Sequence, residues 1–160
     1  MAYSSKYKRS DTEITPDEAL AKLEHFCAYR ERCPQEVYRK LAELGLRGET
    51  ADQIYQVLES DGYVQEERFA RAFAGGKFRV NRWGKVRIRL ELQRRGIAPR
   101  VIAEALDAID EQEYTAALID LLEKKRLQYD LPEADPALRA KAAASLIRAG
   151  FEPELVFHYL

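Results

Sequence analysis

The residues with the strongest chemical character are the cations gathered in residues 68–100. This segment holds eleven lysine and arginine side chains against a single acid, Glu91, which gives it a net charge of +10. The whole chain carries -1, so the residues outside the segment together carry -11. A concentrated cationic field attracts phosphates or an acidic protein surface. The segment therefore predicts a binding surface for an anionic partner.

Nine side chains of this segment are the candidate contacts with that partner. Arginine suits such contacts because its planar guanidinium pairs bidentately with a carboxylate or a phosphate. Phe78 and Trp83 stand between the cations and offer stacking faces for nucleic acid. The competing interpretation is a solvated surface above buried rings, with acids from the rest of the chain neutralising the cations. The candidates are Lys77, Arg79, Arg82, Trp83, Lys85, Arg87, Arg89, Arg94 and Arg95.

Periodicity over residues 83–95 predicts a helix with two apolar stripes separated by cations. At about 100° per residue, Ile88 and Leu92 fall on one side, and Trp83, Val86 and Leu90 fall almost opposite. The first stripe is assigned to the core of its own unit. The second stripe either packs against a neighbouring unit or docks, with the arginines around it, onto a partner.

Residue types that support catalysis or metal binding are not arranged for either. His25, Cys27 and Cys33 are the candidate metal ligands. His25 and Cys27 are two apart on a predicted helix and do not face each other, and no fourth ligand is evident. Gly76-Lys77 is not a phosphate loop, because Phe78 replaces the Ser or Thr that would hold Mg²⁺. No triad or acid–base pair is evident. We therefore expect no enzyme, metal, cofactor or small-molecule substrate.

Composition indicates a folded cytoplasmic protein. Of the 160 residues, 46% are hydrophobic and 33% are charged, which is enough for a core. No apolar run reaches the roughly 18–20 residues that a membrane-spanning helix needs, and the first residues lack the apolar region of a secretory signal. The two cysteines, Cys27 and Cys33, are expected to be reduced thiols.

The secondary structure predicted from the sequence is all-α. Strand signals are nearly absent, and apolar residues recur at helical spacing. Residues 1–14 are polar and are interpreted as a flexible tail. Thr15 and Pro16 then supply a hydroxyl cap and a first-turn proline that begin a helix. Gly75-Gly76 lies inside a later helical segment, where it is a hinge, a site of close packing or a helix break.

One helical pattern occurs three times along the chain. Gly45, Gly96 and Gly150 each precede a short loop and another helix. The core positions four and eight residues before each glycine are Leu41 and Val37, Leu92 and Ile88, and Leu146 and Ala142. Such self-similarity indicates tandem units whose stacking buries faces that one unit cannot bury alone. We predict an elongated array of three three-helix repeats, of which the second is basic: residues 15–63, 64–110 and 111–160.

The repeat pattern and the motifs of the middle unit resemble the RecX family of regulatory proteins. The resemblance covers residues 16–160 and is strongest in the middle unit. The matching residues are Gly62-Tyr63-Val64, Glu67-Arg68-Phe69-Ala70, Trp83-Gly84-Lys85, Arg87-Ile88, Leu92 and Gly96-Ile97.

The resemblance implies a modulator of the RecA recombinase that acts in DNA repair, recombination and the SOS response. Proteins of this family lie in the groove of the RecA filament on DNA, where they inhibit strand exchange and DNA-dependent ATP hydrolysis. Some also bind single- or double-stranded DNA directly. We expect a monomer that contacts RecA and has no membrane partner. The alternative function is a general nucleic-acid-binding protein that acts through the basic repeat.

Overall fold

Every regular element that the structure describes is an α-helix, which confirms the all-α prediction. The structure, a computed structural model, describes residues 13–129 and 135–160. Residues 1–12 of the predicted tail and residues 130–134 therefore lie outside the described residues. The helices are α1 (Pro16–Tyr29), α2 (Pro34–Glu43), α3 (Gly48–Ser60), α4 (Glu66–Arg79), α5 (Lys85–Arg94), α6 (Pro99–Asp107), α7 (Glu111–Tyr129), α8 (Pro136–Arg148) and α9 (Pro153–Tyr159).

The first helix begins as the sequence predicts. The Thr15 side chain accepts a hydrogen bond from the Glu18 N–H at 3.2 Å, and the Glu18 carboxylate accepts one from the Thr15 N–H at 3.4 Å. This reciprocal pair satisfies two backbone donors that a helix start leaves open. Pro16 occupies the first turn, where its missing N–H costs nothing.

The second helix of each group of three ends in the same way. Gly45, Gly96 and Gly150 have left-handed φ values of 82°, 73° and 102°. The N–H after each glycine donates to the carbonyl of the aligned leucine at 2.9, 3.1 and 3.1 Å. This bond pattern closes a helix at a residue where glycine is favoured because it has no Cβ. The aligned core positions are all buried, as the register predicts: Val37, Leu41, Ile88, Leu92, Ala142 and Leu146.

The chain divides into two compact units, one ending at Gln65 and the other spanning Glu66–Leu160. The first unit contains α1–α3, which we call the first triplet. Its core is apolar, and Leu23, Leu41 and Leu58 are fully buried there. The second unit contains the second triplet, α4–α6, and the third triplet, α7–α9.

The second and third triplets meet where α5 begins and α8 ends. The Gly84 N–H donates to the Ala149 carbonyl at 2.8 Å, and the Val86 N–H donates to the Gly150 carbonyl at 2.9 Å. Gly84, the N-cap residue of α5, has no side chain that could cap the helix, so the Gly150 carbonyl satisfies a donor that the start of α5 leaves open. A Cβ on Gly84 would lie 2.2 Å from the Gly150 carbonyl carbon. Only glycine at this position permits so close an approach of two backbones.

We call the junction between the start of α5 and the end of α8 the joint. The Tyr114 side chain also holds this joint together. Its ring lies 5.5 Å from the Phe78 ring and 5.2 Å from the Phe151 ring. Its hydroxyl accepts from the Lys85 N–H at 3.0 Å and donates to the Glu152 carboxylate at 2.9 Å. Burial raises the pKa of Tyr114 because a phenolate would lose hydration there. The joint holds the first turn of α5, and the cations on it, against the third triplet.

The glycine pair in α4 does not interrupt the helix. Helix α4 is continuous over Glu66–Arg79, so the interpretation of Gly75-Gly76 as a helix break is wrong. A Cβ on Gly75 would lie 3.2 Å from Nη1 of Arg79, whereas a Cβ on Gly76 would meet nothing within 4 Å. Gly75 therefore leaves room for the Arg79 side chain to cross the helix surface. Tertiary packing of α4 offsets the helix propensity that the two glycines lose.

Candidate binding surface of the second triplet

All nine candidate side chains belong to the second triplet, where they occupy the end of α4, the following turn and α5. Lys77 and Arg79 lie in the last turn of α4. Arg82 and Trp83 lie in the turn that leads to α5. The other candidates lie on α5 and its C-cap: Lys85, Arg87, Arg89, Arg94 and Arg95.

Three cations alternate with two aromatic rings along this surface. The Arg95 guanidinium lies 4.6 Å from the centre of the Phe73 ring, and Lys77 Nζ lies 5.5 Å from the same ring. Lys77 Nζ is also 4.8 Å from the centre of the Trp83 ring, over which Arg87 lies at 4.0 Å. We call these five side chains the cation–aromatic ladder. Each contact pairs a positive group with the electron-rich face of a ring and fixes a long side chain in place.

Most of the surface cations lack an acidic neighbour. Among residues 13–129 and 135–160, no carboxylate lies within 4 Å of a cation in the following set: Arg71, Lys77, Arg82, Lys85, Arg87 and Arg89. Their positive charge is therefore not neutralised by direct pairing. That arrangement is costly through self-repulsion and suits an anionic partner.

Three of the candidates do pair with carboxylates. Glu91 lies 2.7 Å from Arg94 and 3.0 Å from Arg95, and the Arg95 hydrogen bond lowers the pKa of Glu91. Arg79 lies 4.0 Å from Glu113 of the third triplet, with both side chains mostly exposed. Such an exposed pair contributes little to stability.

Arg100, also in the basic segment, lies 3.0 Å from Glu104 and 3.4 Å from Glu67. Partial internal neutralisation therefore occurs, as the competing interpretation of the sequence supposed, but Lys77 and Arg87 of the ladder have no carboxylate within 4 Å among the described residues.

The prediction that Phe78 offers a stacking face is wrong. Phe78 is 2% exposed and contacts Tyr114 in the core. Trp83 is half-buried, lies edge-on to Phe73 at 6.4 Å between ring centres, and has Lys77 and Arg87 against its ring. A nucleobase would have to displace a cation before stacking there, so this surface is built for charge recognition more than for base stacking.

The second apolar stripe of α5 is divided between packing and solvent. Val86 is half-buried where its N–H donates to a carbonyl of the third triplet, in line with packing against a neighbouring triplet. Trp83 packs on Phe73 of its own triplet. Leu90 is 49% exposed. Only the Leu90 end of the stripe is therefore left for a partner.

Arg82 has an unusual backbone conformation. Its φ of 56° lies in the left-handed region, and the other described residues with positive φ are all glycines. For an L-residue this region costs roughly 1–2 kcal/mol, because Cβ approaches the following carbonyl oxygen. Nothing in the sequence marks this arginine as different from its neighbours. Backbone strain of this kind is concentrated at functional sites.

Two residues that position the surface were missed by the sequence interpretation. Phe73 lies four residues before Lys77, so helical spacing alone places the two side chains on one face. Tyr114 had no local signal, because its contacts with Lys85 and Glu152 join residues 29 and 38 positions apart.

The candidate metal ligands of the first triplet are not gathered into a site. His25 is exposed on α1, whereas Cys27 and Cys33 are buried. Within the described part of the chain, no group of three or more His, Cys, Asp and Glu side chains is placed to hold a metal ion. None of the described helices is long and apolar enough to cross a membrane.

Comparison with protein families identifies both triplets of the second unit. The family description "RecX, second three-helix domain" matches residues 66–106, and "RecX, third three-helix domain" matches residues 111–160. Regulatory protein RecX of Chromohalobacter salexigens is 30% identical over 150 residues, which are 93% of each chain. Its namesake from Geobacillus kaustophilus is 29% identical over 132 residues, which are 82% of this chain and 49% of that protein. The present chain thus spans about half the length of the Geobacillus relative.

Solved structures agree with this assignment at the level of the fold. The crystal structure of RecX from Lactobacillus salivarius matches with a TM-score of 0.83 and 19% identity, covering 90% of this chain and 93% of that one. A second structure, of regulatory protein RecX, matches with a TM-score of 0.79 and 19% identity, covering 90% and 70%. Because the two family descriptions fit successive triplets and the Chromohalobacter relative aligns over nearly its whole length, the chain belongs to the RecX family.

Proposed function

We propose that this chain binds the RecA–DNA filament and inhibits its recombinase and DNA-dependent ATPase activities. It acts in the cytoplasm as a monomer, by contact and without catalysis of its own. Its relatives carry the name regulatory protein RecX, which supports a regulatory role. The observation that carries the proposal is the set of six cations in the second triplet without a carboxylate within 4 Å among the described residues. An anionic partner would offset their mutual repulsion.

Exposed apolar side chains beside the cations favour a protein partner. Val80 is 81% exposed in the turn after α4, and Leu90 is 49% exposed on α5. A phosphate backbone offers no apolar surface to cover such side chains, whereas a protein surface offers both carboxylates and apolar groups. The rings of the ladder are already in contact with cations, which also disfavours a site designed for nucleobases.

Direct binding of nucleic acid is the second candidate function. Lys77 and Arg87 are held in fixed positions by Trp83 and lack a carboxylate neighbour among the described residues, which also suits phosphates. Binding of that kind would be independent of base sequence and would weaken steeply with salt, because each neutralised phosphate releases counterions. A passive binder must coat the DNA, whereas a filament regulator acts at far fewer copies.

The rate of ATP hydrolysis by RecA filaments, preformed on single-stranded DNA, tests the proposal. The protein is titrated into such filaments at constant salt, and its binding to the same DNA without RecA is measured in parallel. We expect hydrolysis to fall at well below one copy per RecA protomer. Inhibition that requires enough protein to coat the DNA would favour the general binder. Unchanged hydrolysis at every concentration would contradict the proposed function.

A further inference from the structure

The turn between α4 and α5 contains an arginine where the backbone favours glycine. The Arg82 N–H donates to the Phe78 carbonyl at 3.1 Å, and the Trp83 N–H donates to the Lys77 carbonyl at 3.1 Å. These two bonds close the end of α4 and hold Arg82 at a φ of 56°. Where other turns of the described chain need positive φ, they use Gly45, Gly48, Gly62, Gly96 and Gly150. Local folding would therefore be served better by glycine at position 82.

The Arg82 side chain makes no contact that explains its presence. Within residues 13–129 and 135–160, it is exposed and has no carboxylate within 4 Å, no side-chain hydrogen bond and no ring contact. It differs in this respect from Arg87, which lies over Trp83, and from Arg94, which pairs with Glu91. Among the described residues, no hydrogen bond, ion pair or ring contact of this side chain therefore offsets the backbone strain. Strain retained in this way is a reason to infer a function.

Its surroundings indicate the kind of group that it meets. Val80, in the same turn, is 81% exposed, and Trp83 connects the turn to the cation–aromatic ladder. A guanidinium beside an exposed apolar side chain matches a carboxylate set in a protein surface, because arginine forms a bidentate pair with it and the apolar groups exclude water around the pair. A phosphate would be paired equally well by the guanidinium but would leave Val80 uncovered.

We infer that Arg82 is an anchor residue that pairs with a carboxylate of the partner protein, and that the left-handed turn exists to present it. This inference rests on the proposed function, since it names one contact of the same surface. A rigid turn fixes the direction of the side chain, so less conformational entropy is lost when the pair forms. Among the eleven cations of residues 68–100, Arg82 alone has a left-handed backbone.

Substitution of Arg82 by glycine separates folding from binding. In Arg82→Gly the strain is removed, and we expect the thermal midpoint to rise by about 2–5 °C, as a gain in native-state stability does in a domain of this size. The same variant should require about tenfold more protein to halve RecA ATP hydrolysis, the loss expected for one well-formed charge pair. Arg82→Asn, which tolerates a left-handed backbone but carries no charge, should behave in the same way. The matched control is Arg39→Gln, an exposed arginine of α2.

Each other outcome overturns a specific part of the inference. A lower thermal midpoint in both Arg82 variants would mean that the side chain stabilises the fold. Wild-type inhibition by a stable Arg82→Gly, with inhibition lost in Lys77→Glu/Arg87→Glu, would reject the anchor and leave the proposed function intact. An equal loss of binding to single-stranded DNA without RecA would make the ligand a phosphate. If the wild-type protein itself fails to inhibit RecA, both the proposed function and the proposed Arg82 contact are contradicted.

Discussion

Two contacts between an arginine and an aromatic ring differ in burial and in charge pairing. In the first triplet, Arg32 lies 3.7 Å over Phe26, donates to the Phe26 carbonyl at 3.1 Å and lies 3.6 Å from Glu36. Its side chain is only 9% exposed. In the second triplet, Arg87 lies 4.0 Å over Trp83 but is exposed, and no carboxylate of the described residues is within 4 Å of it.

Burial and charge pairing distinguish a structural arginine from a candidate binding arginine. Both guanidiniums stack on a ring, so the stacking alone does not distinguish them. Arg32 is buried, donates one hydrogen bond to a backbone carbonyl and has Glu36 as a partner for its charge inside the first unit, as a buried charge requires. Arg87 is held in position by the ring while its charge is left for another molecule. The unpaired charge and the exposure make the second contact the candidate for binding a partner.

The largest loss of stability is expected from a change in the joint, which holds α5 and therefore Arg87 in position. Gly84→Ala places a Cβ at 2.2 Å from the Gly150 carbonyl carbon, so two backbones must move apart. We expect a loss of about 2–3 kcal/mol in the free energy of unfolding, typical of severe overpacking. Urea unfolding followed by the fluorescence of Trp83, the single tryptophan, measures it. Stability equal to the wild type would contradict the joint as described.

The matched control for that variant is Gly76→Ala, another glycine-to-alanine change on the same triplet. A Cβ on Gly76 meets nothing within 4 Å, and the residue lies inside the continuous helix α4. We expect the free energy of unfolding to rise by about 0.5–1 kcal/mol. If the glycine pair is a hinge, Gly76→Ala should also inhibit RecA less well despite its higher stability. Unimpaired inhibition would remove the hinge interpretation.

Removal of each arginine tests the comparison itself. In Arg32→Ala, Glu36 loses a buried partner and the Phe26 carbonyl loses a donor, so we expect the first unit to lose about 1–3 kcal/mol. Amide hydrogen exchange in α1 and α2 measures this loss. Arg87→Ala should change stability by no more than about 0.5 kcal/mol, as exposed positions do, while inhibition of RecA weakens. If instead Arg87→Ala destabilises as much as Arg32→Ala, the two contacts have the same role.

A smaller effect is expected from the hydroxyl group that anchors α5. Tyr114→Phe leaves the Lys85 N–H and the Glu152 carboxylate without a shared partner, which costs about 1 kcal/mol near neutral pH. The effect also depends on pH. Because burial raises the pKa of Tyr114, the unfolded chain loses this proton at about pH 10 while the folded protein keeps it. The Tyr114 hydroxyl therefore makes its full contribution to the free energy of unfolding below about pH 10, and this contribution declines at higher pH.

Urea unfolding at several alkaline pH values checks this sign. As the pH rises past about 10, the wild type should lose stability more steeply than Tyr114→Phe, so that the gap between the two proteins narrows. The other tyrosines and the lysines titrate in both proteins and cancel in the difference. A gap that widens with pH would show that the Tyr114 hydroxyl is not buried as described.

The fold could be predicted from the sequence because its signals are local. The capping box at Thr15 and the glycines that end α2, α5 and α8 each depend on a few consecutive residues. The core register followed from helical spacing for the same reason. Phe78 was misplaced although Ala70, Ala74 and Phe78 recur every four residues, which predicts one buried face. Helical spacing, and not proximity to cations in the linear sequence, determines that Phe78 is buried.

The binding surface could be predicted only in outline. Its net charge is visible in the sequence, but the pairing of Arg79 with Glu113 depends on tertiary contacts. The same is true of Arg87, which has no carboxylate within 4 Å in the described part of the chain. The joint between Gly84 and Gly150 connects backbones that are distant in the chain, and no local sequence pattern predicts it. The left-handed conformation of Arg82 is likewise fixed by the geometry of a turn and not by its residue type.

We propose that the cation–aromatic ladder, and not positive charge in general, binds the RecA filament. The most direct test compares the amount of protein that halves RecA ATP hydrolysis for two variants with equal net charge. Lys77→Glu/Arg87→Glu reverses two ladder cations, whereas Arg39→Glu/Arg139→Glu reverses two exposed arginines of α2 and α8. We predict that the ladder variant requires at least about tenfold more protein and the control at most about twofold more. Equal inhibition by the two folded variants would contradict the account.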